Sequence, residues 1–354
     1  MAQTTQQGTD PHLGGATQWG SRARRLAQLV LTIGLTLLGL LAVTFFIGRL
    51  MPIDPVVAII GEQADQAAYQ TVYHQLGLDK PLPVQFFIYA RSIFSGDFGF
   101  SLTTGNPVAE DLWRVWPATM ELATLALVLG VLAGVPLGII AAICQNSVWD
   151  HLVRLFSLIG HSIPNFWLGL MALVVFYAKL GWIGGAGRTS MQFIDALDPV
   201  TGSILLDSLM ARRWDMFADA LRHVIMPALI LASGSMAFLS RMTRSFMLEQ
   251  LNQEYIVTAK LKGLGTAGLV AHAMRNIGVQ LVTIVVLSYG GLLDGAVLTE
   301  TVFAWPGFGR YMTTGLMNGD MNVTLACVFL VGAIFITMNL CADALYRILD
   351  PRTR

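Results

Sequence analysis

The stretch LAQLVLTIGLTLLGLLAVTFFIGRL (residues 26–50) runs for 23 positions, from Leu26 to Gly48, without a charged side chain. About 20 apolar residues in helical form cross the hydrocarbon core of a bilayer, so this run is long enough to span one. Working outward, five more stretches have the same character: residues 117–143, 152–180, 223–240, 277–298 and 322–346. They are continuous apolar runs and not ten-residue segments of alternating polarity, which predicts helices and not an outer-membrane barrel. Composition agrees, since 55% of the 354 residues are apolar and 12% are charged, about half the charge of an ordinary soluble domain. Mean hydropathy is +0.62. So few charges could not cover a water-soluble surface. Equal numbers of basic and acidic residues, 22 of each, argue against a nucleic-acid-binding face. The sequence is that of an all-α integral membrane protein with six transmembrane helices.

Arg22, Arg24 and Arg25 precede the first span, as in the charged start of a signal peptide. The apolar run is too long for one and ends in Gly48-Arg49 without a small-residue cleavage site, so it is expected to remain as an anchor. Residues 1–25 are rich in Gln, Thr and Gly and are expected to form a disordered cytoplasmic tail. With the N-terminus inside, the cytoplasmic side receives the Arg22–Arg25 cluster, Arg154, Arg241, Arg244, Lys260, Lys262, Arg275, Arg347, Arg352 and Arg354. The outside receives Asp54, Glu62, Asp65, Asp79, Asp97, Glu110 and Asp111. The positive-inside rule therefore predicts an N-in, C-in topology. External segments then cover residues 51–116, expected to hold short helices, and 181–222, while residues 241–276 form the sizeable cytoplasmic loop.

That loop begins SRMTRSFMLEQLNQEYIVTAKLKG (residues 240–263). Phe246, Met247, Leu251, Tyr255, Ile256 and Ala259 recur at three- and four-residue spacing, one face of an amphipathic helix. Glycine at 263 and 265 suits a left-handed end to that helix, and a second helical stretch over residues 269–275 leads into the fifth span. A helix–glycine turn–helix on the inner face has the shape of a docking element. It also fits a helix that merely lies among the lipid headgroups.

Within the loop stand Glu254-Tyr255-Ile256, Thr258-Ala259, Lys262-Gly263-Leu264, His272 and Arg275-Asn276. Elsewhere, in order, come Met51-Pro52-Ile53-Asp54-Pro55, Leu76-Gly77-Leu78-Asp79-Lys80-Pro81-Leu82, Gly96-Asp97-Phe98-Gly99 and Pro117-Ala118-Thr119. Ser162-Ile163-Pro164, Arg222-His223 with Pro227-Ala228-Leu229, Glu300-Thr301-Val302-Phe303 with Trp305-Pro306-Gly307, and Asp350-Pro351-Arg352 complete the set. This ordered series resembles the first-permease type of the dipeptide/oligopeptide importers, ATP-binding-cassette (ABC) transporters whose relatives include nickel and glutathione permeases. Two positions depart from the family pattern: Ile53 replaces a usual glycine, and Gln280 stands where proline is common.

The resemblance implies a type I ABC importer permease fold over residues 26–354, placed as a multi-pass protein in the inner membrane, with no catalytic site and no cofactor of its own. ATP and Mg would be bound by two cytoplasmic ABC ATPase subunits. It further implies a second homologous permease, an external solute-binding protein and surrounding membrane lipid as partners. Glu254, Tyr255, Ile256, Thr258, Ala259, Lys262 and Gly263 would form the ATPase-coupling helix, with Ile256 and Ala259 as its packing surface and Gly263 as its turn. Alternating access driven by ATP closure would carry short peptides, or alternatively a nickel chelate, glutathione or an opine-like solute.

Asp294 lies inside the fifth span, where a carboxylate facing lipid costs about 2.5–3.5 kcal/mol. It is a candidate for the solute path, favouring a cationic or amino-bearing solute, with a structural pairing the slightly favoured alternative. Glu121 and Asp343 sit near span ends, where pairing or snorkelling suffices. The glycines of 130–138 and 290–295 are read as close helix contacts, within the chain or with a partner. Three cysteines and six scattered histidines give neither a disulfide framework nor metal-ligand spacing. A self-sufficient channel or ion-coupled carrier would need polar residues along several spans, and an intramembrane protease would need GxSxG, HExxH or paired aspartates; neither pattern occurs.

Overall fold

The computed structural model describes residues 14–50, 54–61, 65–194 and 196–349, and these are almost entirely helical. The described residues after α1 form one compact unit, and the first helix, α1 (Gly14–Leu50), belongs to another. α1 starts well before the apolar run: residues 14–25, expected within the disordered tail, are helical. No proline interrupts the chain between Pro11 and Pro52, and Ala16, Gln18, Arg22 and Ala23 are good helix formers. Residues 1–13 of the expected tail lie outside the described residues, as do Met51-Pro52-Ile53 and Asp350-Pro351-Arg352.

The external segment holds α2 (Pro55–Ile60), α3 (Gln66–Gln75) and α4 (Leu82–Phe94). Asp54 caps α2 by accepting from Val56 N at 2.9 Å, and Asp65 caps α3 by accepting from Ala68 N at 2.7 Å. The Leu76-Gly77-Leu78 motif ends α3: Leu78 N donates to Tyr73 O at 3.1 Å and Gly77 N to His74 O at 3.0 Å. Gly77 takes φ +65° there, the glycine-ended helix stop.

α5 (Val108–Ile143) begins nine residues ahead of the expected second span and carries Pro117 and Pro136 within it. The third expected span is not one straight helix. α6 (Val148–Ser162) and α7 (Asn165–Ala172), continued by a π-helical stretch over Leu173–Lys179, meet at 93°. Pro164 explains the break, because a residue before proline is driven out of the helical region, and Ile163 is extended at φ −89°, ψ 125°. α8 (Ile204–Met210) lies in the second external segment, followed by α9 (Trp214–Leu251), α10 (Glu254–Leu261), α11 (Thr266–Val302), α12 (Phe308–Met317) and α13 (Met321–Leu349). Among the described residues, five helices are long and apolar enough to cross a membrane, and the bent pair makes six if taken as one span.

α5 and α9 form the spine. Gly130, Gly134 and Gly138, spaced four apart, turn one bare stripe of α5 onto α9. A Cβ at Gly134 would stand 2.8 Å from Met236 O, and one at Gly138 would stand 2.6 Å from Ser240 O. Lipid tails are as apolar as the helices, so association here relies on close backbone approach and van der Waals contact. The core continues through Leu122, Ala126, Val224 and Leu231 to Leu292 and Ala296 of α11 and to Trp305. Of the 290–295 glycines, Gly295 makes the expected close contact, its Cβ position lying 3.1 Å from the Leu231 side chain of α9, whereas Gly291 has open space around it and a Cβ at Gly290 would come no closer than 3.8 Å to another atom.

Candidate functional site

The cytoplasmic loop resolves into two helices where the sequence suggests one stripe. α9 continues to Leu251, the chain turns at Asn252-Gln253, and α10 begins at Glu254. Met247, on the α9 part, is fully buried with Ala142, Ala273 and Ile277, and Phe246, Leu248 and Leu251 pack around that group. The cytoplasmic ends of α5, α9 and α11 thus share a small apolar core from which α10 projects.

On α10, Ile256 is 0% exposed. This corrects its assignment to a partner-facing surface: its side chain is already covered by its own chain and anchors the helix. Ala259 is half-buried. The outward positions are Glu254, Tyr255, Val257, Thr258, Lys260, Leu261 and Lys262. Leu261 is 85% exposed and Val257 52%, and their four-residue separation puts them on one face. Tyr255 Oη donates to Gln250 Oε1 at 2.9 Å, tying α10 back to the end of α9. Neither Lys260 nor Lys262 makes an ion pair among the described residues. The left-handed end falls at Gly263 and not at Gly265, which is extended at φ −72°: Leu264 N donates to Ala259 O at 3.1 Å, and Gly263 N donates to Lys260 O at 2.9 Å. Gly263 is at φ +84° with nothing near its missing Cβ, so backbone conformation alone requires glycine.

Sequence reasoning missed a clamp beneath this loop. The Asp150 carboxylate on α6 is 0% exposed and receives both Arg244 Nε (2.7 Å) and Arg244 Nη2 (2.9 Å) from α9. The Asn146 amide adds a third donor at 3.0 Å. Bidentate geometry of this kind fixes orientation as well as distance. Arg154 and Arg244 carry a positive-inside signal, but nothing in one sequence pairs Asp150 with a residue 94 positions away.

Two expected motifs meet at the external end. Glu300 of α11 is fully buried. It accepts from Thr119 Oγ1 at 2.6 Å and from the α12 amides of Gly309 (2.7 Å) and Arg310 (3.2 Å), so a carboxylate sits at the positive end of that helix. Thr119 Oγ1 also accepts from Phe308 N at 2.7 Å, and Trp305 Nε1 donates to Ala118 O at 2.9 Å. Pro117-Ala118-Thr119 and Glu300–Gly307 are therefore two halves of one knot. Glu121 is likewise paired: it accepts from Arg188, from Ser203 Oγ at 2.7 Å and from Leu205 N at 2.8 Å. The Arg188 guanidinium lies 5.5 Å from the Trp305 ring centroid. The side chain of Asp343 lies outside those described.

Asp294 is exposed on α11 and has no hydrogen bond or ion pair among the described residues. It borders a cavity of about 180 Å³ that it shares with Trp116 and Thr119 of α5, Phe308 of α12 and Phe335 of α13.

The family model described as the binding-protein-dependent transport system inner membrane component matches residues 134–354, and the model of its N-terminal part matches residues 23–123. The probable D,D-dipeptide transport system permease protein DdpB of Escherichia coli K12 is 42% identical over 95% of this chain and 98% of its own. The di/tripeptide transport system permease protein DppB of Pseudomonas aeruginosa is 40% identical over 94% and 98%. Among solved structures, an inward-facing MetNI methionine ABC transporter chain is similar in fold. It has a TM-score of 0.51 and 16% identity, covering 68% of this chain and 96% of that one.

Proposed function

The chain belongs to the binding-protein-dependent inner membrane components, the permease subunits of ABC importers, and from that premise we propose that it forms one half of the membrane path for short peptides. It is a multi-pass inner-membrane protein without an ATPase site; hydrolysis belongs to separate subunits. The peptide assignment is supported by the names of its relatives, all peptide permeases among those cited, in preference to a nickel chelate, glutathione or an opine-like solute.

The observation that carries the reading is α10, a short helix held at its root by buried Ile256 and presenting Val257 and Leu261 outward. Such an apolar pair at the cytoplasmic edge suits the cleft of an ATPase. Glu254, Tyr255, Thr258 and Lys262 frame that contact, while Ala259 and Gly263 set its geometry. Two ATPases, binding ATP and Mg, would close and move this permease and a second homologous one, and an external solute-binding protein would deliver cargo to the outer loops. In that cycle the Asp150–Arg244 clamp makes α6 follow α9, and Asp294 faces the path.

The test is co-purification of the tagged chain from its host membranes in mild detergent, with every partner identified by mass spectrometry. An ABC ATPase, a second six-span permease and a solute-binding protein are the expected set. A homo-oligomer with no ATPase would overturn the coupling assignment.

A further inference from the structure

Asp294 presents a chemical asymmetry that the knot around Glu300 makes sharper. The cavity it borders has aromatic walls in Trp116, Phe308 and Phe335. Thr119 has its hydroxyl already committed, donating to Glu300 and accepting from Phe308 N, and the Trp116 indole N–H can only donate. The side-chain acceptor that remains available is the Asp294 carboxylate. No Lys, Arg or His lines the cavity, so its charge is negative and uncompensated. A carboxylate left against hydrocarbon is strongly disfavoured, whereas one facing a hydrated path is waiting for a donor. Aromatic faces attract ammonium groups through their ring quadrupoles. Gly290 leaves the wall beside Asp294 bare, with no atom nearer than 3.8 Å to where its Cβ would stand.

We infer that this cavity is a subsite for the free α-ammonium group of a peptide in transit, with Asp294 as its counter-charge and Trp116 and Phe335 flanking it. This deepens the importer reading and rests on it. The subsite selects for an unblocked N-terminus within the membrane itself, and it disfavours solutes whose only charge is negative.

The test compares ATP-dependent uptake of Ala-Ala with that of N-acetyl-Ala-Ala in cells whose only peptide importer contains this chain. Asp294→Asn is expected to cut the preference for the free amine by about tenfold, while Asp294→Glu retains it. An unchanged preference in Asp294→Asn, with uptake continuing, overturns the subsite and leaves the importer reading standing. Absence of ATP-driven uptake of either peptide by the wild type overturns both. Should Asp294→Asn fail to assemble, accessibility decides. In a background with Cys144, Cys327 and Cys341 replaced by alanine, Asp294→Cys is expected to react with a membrane-impermeant methanethiosulfonate and to be shielded by Ala-Ala. No reaction would place the position away from the path and overturn the proposal.

Discussion

At the scale of single residues, the structure separates side chains that hold the chain together from those available to others. Ile256 and Leu261 illustrate this on one short helix. Ile256→Ala removes a fully buried side chain and is expected to cost about 2–4 kcal/mol, read as a lower melting midpoint of the detergent-solubilised complex. Leu261→Asp alters an 85% exposed position, so the midpoint is expected to hold while ATP-driven uptake and co-purification of the ATPase fall sharply. The opposite pattern would reverse the two roles. Gly309 makes a comparable point at the external end, since its Cβ would lie 2.4 Å from Val297 Cα. Gly309→Ala is expected to lower the midpoint by an amount corresponding to about 1–3 kcal/mol, whereas Gly291→Ala, in open space, is expected to leave it unchanged. The sequence pattern marked Ile256 as apolar and correctly spaced, but periodicity cannot tell whether a stripe is covered by its own chain or by a partner. Similarly, Glu300 and Thr119 each stood in a recognisable motif, and only three-dimensional proximity joins them across 181 positions.

At the scale of elements, hydropathy located the spans well and their ends poorly. It found residues 223–240 and 277–298, whereas the helices run from Trp214 to Leu251 and from Thr266 to Val302. Hydropathy reports the part that meets lipid, and helix propensity carries each rod beyond it in both directions. The bend at Pro164 had a visible cause in sequence, but the angle it takes depends on what α6 and α7 pack against. The Gly130–Gly138 spacing was legible as a close-contact stripe, though not that α9 fills it. Gly134→Leu is expected to push α5 from α9 and abolish assembly, because the obstructing atoms at 134 include backbone of α9. Recovery of a well-folded complex with that variant would mean that the stripe tolerates separation.

For the whole molecule, the fold class and the permease identity were legible because they rest on composition and on motifs distributed along nearly the full chain. The clamp between Asp150 and Arg244 and the unpaired state of Asp294 were not, since both depend on which helices become neighbours. The length of α9 and α11 has a mechanical consequence. At about 1.5 Å per residue, helices of 38 and 37 residues are roughly 55 Å long, well beyond the roughly 30 Å of hydrocarbon they cross. α10 sits at the inner end of these rods and the Glu300 knot at the outer end of one. A tilt of about 10° about the middle would swing either end by on the order of 5 Å. Rods of this length have the gearing of a balanced crank: a stroke delivered at the cytoplasmic end would emerge outside at nearly the same amplitude, with opposite sense.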